Sequence, residues 1–174
     1  GQSTYNLENR FTGWKDVDLT NLGISQAKEA ATLLKNEIFD LAFTSNLLRA
    51  QKTLDIILGE LNIDLDIIKN EALNERDYGD LVSQNKTEAA EKFGEEQVQI
   101  WRRSFDTPPP GGESLKMTLE RTLPYFNSVV KPYLMNGKNI ILSAHGNSIR
   151  SIIMELFNYN SEQILKTEVG WCEI

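Results

Sequence analysis

The chain contains a single histidine, and its sequence context points to chemistry with a charged ligand. His145 follows the mostly apolar residues 140–144 and precedes Gly146, Asn147 and Ser148. An alternative interpretation is a structural histidine with both ring nitrogens satisfied. The end of a predicted strand, followed by a glycine that lets a ligand approach the backbone, favours a functional role.

Thr44 and Ser45 end a second predicted strand, and Arg49 follows in the helix after it. At both strand ends, small polar residues lead into a helix whose free N–H groups suit an anion. We therefore expect an anion site at these two strand ends.

A carboxyl group lies among apolar residues in LNERDYGDL, residues 73–81, which contains Glu75, Arg76 and Tyr78. If Glu75 donates and accepts protons, burial or hydrogen bonding must set its pKa. The alternative interpretation of this segment is a solvated turn with a local ion pair.

Further cations could bind an anionic ligand. WRRSF contains Arg102 and Arg103, and guanidinium groups match phosphate and carboxylate oxygens in a bidentate way. Lys86, in QNKTEAAEKFG, could contribute another charge. Taken alone, both patterns are equally typical of a helix surface.

The first fourteen residues, GQSTYNLENRFTGW, are polar but include aromatic side chains that disordered tails usually lack. We expect an ordered loop that binds a ligand through Ser3, Asn6, Thr12 and the Gly13 amide. The alternative is a disordered tail.

Composition narrows the class of protein. A chain of 174 residues and 19.8 kDa, with 40% apolar residues, fits one domain with a sizeable core. The formal charge of −7, from 25 acids and 18 bases, disfavours a nucleic-acid binder but allows a local cation cluster. The one cysteine, Cys172, allows no internal disulfide and favours a reducing compartment.

Other common sites are not signalled. The apolar runs are too short to cross a membrane. There is no Gly-x-x-x-x-Gly-Lys phosphate loop and no Gly-x-Ser-x-Gly elbow. One cysteine and one histidine cannot form a usual zinc site.

The hydrophobic pattern alternates strands with helices. Strands are predicted at 39–45, 65–70, 139–144 and 170–174, and helices at 20–34, 47–61, 86–93, 95–103, 114–135 (divided by Pro124 and Pro132) and 148–157. Strands that are apolar on both faces predict an α/β fold, a three-layer α/β/α sandwich with a mostly parallel sheet. Ligands bind at the carboxyl ends of such strands.

Six motifs, in order along nearly the whole chain, carry a family resemblance: NLENRFTGWKDVDLT, FTSNLLRA, LNERDYG, NKTEAAEKFGEEQVQIWRRSF, PPPGGESL and AHGNSIR. Together they resemble the cofactor-dependent phosphoglycerate mutases of the histidine phosphatase superfamily. The short PPPGG loop is similar to that of the compact bacterial form.

The resemblance implies the activity. The family interconverts 3-phosphoglycerate and 2-phosphoglycerate in glycolysis and gluconeogenesis, through a phosphohistidine primed by 2,3-bisphosphoglycerate and without a metal. It also implies a cytoplasmic enzyme with a small-molecule substrate, no nucleic-acid or membrane partner, and a homodimer or homotetramer.

The resemblance also implies roles for residues. His145 would stabilise the transferring phosphoryl group, Arg49 would bind phosphate, and Glu75 would be the general acid and base. The remaining implied substrate-binding residues are Gly1, Gln2, Ser3, Asn6, Thr12, Gly13, Arg76, Tyr78, Lys86, Arg102, Arg103, Gly146 and Asn147.

Some family features fall outside these matches. The nucleophilic histidine belongs to an Arg-His-Gly motif that directly precedes the residues matching Gly1, so we expect it, and the first strand of the domain, upstream. Tyr5 replaces a tryptophan, and the Pro-Thr-Gly-x-Pro stretch expected near Val169 is not seen. We expect a mobile tail beyond Ile174.

Two alternatives to a mutase stay open: a phosphatase of the same superfamily, and a non-catalytic phosphometabolite-binding protein that lacks the nucleophile. The long match at residues 85–105 favours the mutase, because phosphatases of the superfamily diverge there.

Overall fold

The computed structural model describes residues 1–174. The helices are α1 (Thr4–Leu7), α2 (Asn21–Leu34), α3 (Leu48–Leu61), α4 (Lys86–Phe93), α5 (Glu95–Arg103), α6 (Leu115–Tyr125), α7 (Lys131–Met135), α8 (Gly146–Leu156) and α9 (Ser161–Lys166). The strands are β1 (Leu41–Thr44), β2 (Ile67–Lys69) and β3 (Ile140–Ser143). Short 3₁₀ turns cover Glu71–Leu73 and Gly79–Leu81. No helix is long and apolar enough to cross a bilayer.

The three strands form one parallel sheet in the order β2-β1-β3. Ala42 of β1 lies opposite Ile67 of β2 on one side and Ile141 of β3 on the other. The carboxyl ends of β1 and β3 are therefore side by side. The prediction that the segment around Ile67 is an edge strand is confirmed.

Helices cover both faces of the sheet. Ala42 and Phe43 point to opposite faces because successive side chains of a strand alternate. One core cluster packs apolar residues of α2 and α3 against Ala42 and Ile141. The other packs Phe126, Val130 and Ile152 against Phe43. The three-layer α/β/α architecture predicted from the sequence is confirmed.

Helix boundaries follow local chemistry. The Thr20 hydroxyl caps α2 by accepting the Gly23 N–H at 3.0 Å. Gly94, with φ of 89°, separates α4 from α5. Proline removes a backbone donor, and with Pro124 and Pro132 the helix after Leu115 passes through a π turn at Phe126–Val130 before α7.

Two terminal predictions had different outcomes. Residues 1–14 are ordered, and Ser3 caps the single turn of α1. The predicted last strand at residues 170–174 is wrong, because this segment forms a turn. Cys172 has a left-handed φ of 57°, and the Gly170 N–H donates to the side chain of Glu173. A left-handed residue interrupts the extended backbone that a strand requires.

Candidate active site

One wall of the site is formed where β1 and β3 end. Ser45 follows β1, His145 follows β3, and the Ser45 Oγ lies 2.7 Å from the His145 Nε2. Arg49 lies in the first turn of α3. All three side chains are buried. We call Ser45, Arg49 and His145 the strand-end wall.

The imidazole of His145 is held in its neutral form. Burial, reinforced by the positive charge of Arg49, lowers the pKa of His145 well below its ordinary value of 6.5. The backbone N–H of His145 donates to the Ser148 Oγ at 3.2 Å. The Ser45 contact restrains the ring and the Ser148 contact restrains the backbone, so the ring can exchange a hydrogen bond with a ligand without carrying a charge of its own.

Arg49 is a buried cation whose protein partners are main-chain carbonyls. Its guanidinium donates to the oxygens of Lys15 at 3.1 Å and Gly13 at 2.9 Å. Burial lowers the pKa of Arg49 from its usual value, against the opposing charges of Glu75 and Asp16. No ion pair joins Arg49 directly to a carboxylate, so an anionic ligand oxygen can bind its buried charge at hydrogen-bond distance.

Glu75 lies in the extended segment between the two 3₁₀ turns. Its Oε1 accepts hydrogen bonds from the Asn147 Nδ2 at 2.8 Å, the Asn147 N–H at 3.3 Å and the Arg76 N–H at 2.7 Å. Its Oε2 accepts none from the protein. One carboxyl oxygen is thus anchored, and the other is available for a proton.

A second cationic group lies beside Glu75. Burial, then the charges of Arg102 and Arg103, lower the pKa of Lys86. Neither Lys86 nor Arg102 forms an ion pair, whereas Arg103 is exposed and donates to Glu168 at 2.9 Å. Mutual repulsion between Lys86 and Arg102 favours an anion between them.

A cavity of about 290 Å³ joins these groups. The predicted site residues that line it are Gly1, Asn6, Thr12, Gly13, Arg49, Glu75, Tyr78, Lys86, His145 and Gly146. We call Glu75, Tyr78 and Lys86 the loop wall. Arg102 and Lys86 line an adjoining pocket, so Lys86 belongs to both spaces.

Five predicted site residues do not line either space. The Ser3 hydroxyl caps α1, accepting the Asn6 N–H at 3.3 Å, and the Gln2 Oε1 accepts from Thr20 at 2.9 Å. Asn147 contacts Glu75, as described above, and Arg103 faces Glu168.

Arg76, the fifth of these residues, is almost completely buried at 1% exposure. It donates to the Tyr78 hydroxyl at 2.9 Å and to the Arg102 carbonyl at 3.1 Å. In this structure Arg76 connects the loop wall to the end of α5.

Arg10 and Phe11 are among the cavity residues that were not predicted from the sequence. Arg10 donates to the Ser83 carbonyl at 2.7 Å. The Lys86 Nζ lies 5.9 Å from the centre of the Phe11 ring. These contacts join residues more than seventy positions apart, and no local sequence pattern predicts such pairs.

Comparison with known proteins agrees with this geometry. The profile of the family described as Histidine phosphatase superfamily (branch 1) matches residues 1–174. The 2,3-bisphosphoglycerate-dependent phosphoglycerate mutases of Nitrobacter hamburgensis and Bradyrhizobium diazoefficiens are 56% and 57% identical to the chain. Each alignment covers 98% of this chain and 84% of the relative.

A solved structure is also similar. It is a mycobacterial glucosyl-3-phosphoglycerate phosphatase in complex with VO3, with a TM-score of 0.84 and 25% identity, over 98% of this chain and 85% of that one. The chain belongs to the histidine phosphatase superfamily (branch 1), and within it to the 2,3-bisphosphoglycerate-dependent phosphoglycerate mutases.

Proposed function

We propose that this chain interconverts 3-phosphoglycerate and 2-phosphoglycerate, primed by 2,3-bisphosphoglycerate, as a cytoplasmic enzyme of glycolysis and gluconeogenesis. The observation that carries the proposal is the shared cavity of Arg49, His145 and Glu75. These residues provide a phosphoryl-binding wall and a proton-transfer group on one small ligand space.

The strand-end wall would hold the transferring phosphoryl group. Phosphoryl transfer depends chiefly on positioning and on donors around the equatorial oxygens. Arg49 supplies a buried charge without a carboxylate partner. The neutral ring of His145, fixed by Ser45, would add a hydrogen bond as charge develops on these oxygens.

Glu75 would move the proton of the substrate hydroxyl. A sugar-acid alkoxide is a poor leaving group, so it must be protonated as the phosphoryl group departs and deprotonated as it returns. The anchored Oε1 and the unengaged Oε2 of Glu75 suit this exchange.

The rest of the substrate would bind along the loop wall. Lys86 and Arg102 carry positive charges without ion-pair partners, which suits the carboxylate and second phosphate of a small bisphosphate. Tyr78, Thr12 and Gly13 line the same cavity and can complete its polar contacts.

The phosphoryl acceptor is proposed to be a histidine that directly precedes Gly1. Gly1 lines the cavity, and its nitrogen lies 3.1 Å from the Thr53 Oγ1. A residue joined to that nitrogen would begin at the cavity wall, beside the strand-end wall. His145 would then stabilise the transfer rather than accept the group.

The test combines intact mass with phosphopeptide mapping. The purified protein is weighed, treated with 2,3-bisphosphoglycerate, digested under alkaline conditions that preserve phosphohistidine, and mapped. We expect a mass above 19.8 kDa and phosphate on a histidine in the peptide that contains Gly1-Gln2-Ser3.

Other outcomes would contradict specific parts of the proposal. Phosphate on the peptide with His145 would reverse the two histidine roles. Release of inorganic phosphate in preference to isomerisation would favour the phosphatase alternative. A mass equal to 19.8 kDa with no phosphorylation would favour a binding protein.

A further inference from the structure

A partly buried ion pair lies outside the cavity and is not used by the proposed mechanism. The Arg121 Nε and Nη2 donate to the two carboxylate oxygens of Glu113, each at 2.9 Å. The side chains are only 19% and 17% exposed, and no other ion pair of the molecule has both partners this buried. Burial raises the pKa of Glu113, but the hydrogen bonds and charge of Arg121, together with hydrogen bonds from Asp77 and Thr118, leave the pKa lowered.

Arg121 forms hydrogen bonds with main-chain carbonyls of the segment that leads into Glu75. Its Nη1 donates to the carbonyls of Glu71 at 2.9 Å and Ala72 at 3.1 Å, and its Nη2 donates to the Glu75 carbonyl at 3.3 Å. The Trp14 indole also donates to the Glu75 carbonyl, at 2.6 Å, while its ring lies 5.3 Å from the Arg121 guanidinium carbon. Both sources of restraint act on the peptide that carries the carboxyl group.

Glu113 holds the chain on the other side of Glu75. Its backbone N–H donates to the Asp77 carbonyl at 2.8 Å, and its Oε2 accepts from the Asp77 N–H at 3.0 Å. The next contact is at Gly79, where the PPPGG loop packs so closely that a Cβ atom would collide with its backbone. The pair thus fixes the segment on both sides of Glu75.

We infer that Arg121 is a positioning residue for the proton-transfer step, acting through Glu75 with Glu113 as its anchor. The inference rests on the proposed role of Glu75. Arg121 does not line the cavity, so any effect on turnover must pass through the segment it holds. Displacements near 1 Å in a catalytic group can lower rates roughly a hundredfold.

Arg121→Lys is the sharpest variant, because it keeps the charge but removes the planar fork that contacts several oxygens at once. We expect mutase kcat to fall roughly ten- to a hundredfold. The rate of phosphorylation by 4-nitrophenyl phosphate, whose phenolate leaves without a proton, and the KM for 3-phosphoglycerate should change by less than about threefold. Lys131→Gln removes the ion pair with Glu155, away from the cavity, and should leave all three values unchanged.

A double-mutant cycle with Glu75→Gln separates positioning from general support of the fold. If Arg121 acts through Glu75, Arg121→Lys should cost less than about threefold in turnover when Glu75 is already glutamine. An equal loss in both backgrounds, or a wild-type kcat for the single variant, would overturn the inference. So would equal losses of phosphorylation and turnover.

Two further measurements keep the result interpretable. If Arg121→Lys does not fold, Glu113→Gln, which weakens the anchor but leaves Arg121 in place, should reproduce the same loss of turnover with phosphorylation retained; wild-type kcat there would overturn the inference. Glu75→Gln alone tests the premise. Undiminished turnover in that single variant would refute the acid and base role itself, whatever Arg121→Lys does.

Discussion

The strand-end wall and the loop wall face each other across one cavity but are positioned by different forces. Ser45 and His145 extend two adjacent parallel strands, so the backbone ladder of β1 and β3 sets their separation. Glu75 belongs to an irregular segment. Its place depends on side chains from distant parts of the chain, namely Asn147, Trp14 and Arg121.

This difference assigns different tasks to the two walls. A wall built on a buried ladder suits a fixed electrostatic environment for the phosphoryl group, because strand ends in a core rarely move independently. The loop wall instead carries the proton-transfer group, whose position depends on the side chains that hold its segment. Variants of the two walls should therefore fail in different steps.

The largest effect is expected for Glu75→Gln in the loop wall. Glutamine keeps the size and the oxygen that Asn147 binds but cannot transfer a proton, so mutase turnover should fall roughly a hundred- to ten-thousandfold. Phosphorylation by 4-nitrophenyl phosphate should fall much less, because its phenolate leaves without a proton. Rapid-quench assays of phosphoenzyme formation and of isomerisation measure the two steps separately.

Equal losses in both steps would mean that Glu75 also supports the phosphoryl site, and the division between the walls would disappear. Asp80→Asn, an exposed carboxyl change on the following 3₁₀ turn, is a suitable control that should change neither step.

A smaller loss, of a different kind, is expected for Arg49→Lys in the strand-end wall. Lysine keeps the charge but cannot donate to Gly13, Lys15 and a phosphoryl oxygen in the same fixed plane. Phosphorylation and isomerisation should both fall, by roughly a hundred- to a thousandfold. Loss of isomerisation alone would place Arg49 with Glu75 and contradict the assignment of the walls.

The same contrast explains which parts of the site could be predicted from the sequence. The strand-end wall could be predicted because apolar runs set the ends of β1 and β3, and parallel strands bring those ends to one edge. Helix limits at Thr20 and Gly94 also follow from local rules. In each case the signal lies in a short stretch of sequence, and for the strand ends the general rule for parallel sheets supplies the long-range pairing.

The loop wall and its supports needed the structure. Arg121 reaches Glu75 across 46 positions, and Arg10 reaches Ser83 across 73. Neither spacing has a local signature. The turn at residues 170–174 was missed for a different reason. Its apolar pattern is compatible with a strand and does not indicate that Cys172 adopts a left-handed φ. Family resemblance supplied Glu75, Lys86 and the Asn147 that binds Glu75, but not Trp14 or Arg121, which hold the Glu75 main chain.

A more modest change is expected for Arg102→Ala in the pocket that adjoins the loop wall. Removing one of two unpaired cations should raise the KM for 3-phosphoglycerate about tenfold and leave kcat nearly constant, because the charge acts in binding rather than in transfer. The increase in KM with added salt should also become weaker, since fewer exposed charges are screened. Steady-state kinetics at two ionic strengths test both points.

Arg103→Ala is the matched comparison, since Arg103 already donates to Glu168. We expect a smaller rise in KM than for Arg102→Ala. The reverse order would show that substrate displaces Glu168 and takes Arg103 as its main partner.

The smallest effect concerns the stability of the strand-end wall and its dependence on pH. His145 is buried with a pKa well below 6.5, whereas the unfolded imidazole has a pKa near 6.5. As pH falls below about 6.5, the unfolded chain therefore binds a proton that the folded chain does not, and the free energy of unfolding decreases by at most about 1.4 kcal/mol per pH unit. Above that pH both states are neutral at this residue, and its contribution is constant.

Because His145 is the only histidine, His145→Gln should flatten this part of the curve of unfolding free energy against pH, while the carboxylates titrate equally in both proteins. Urea unfolding at intervals between about pH 5 and 8 measures the difference, and parallel curves would mean that the ring is not held neutral between Ser45 and Arg49.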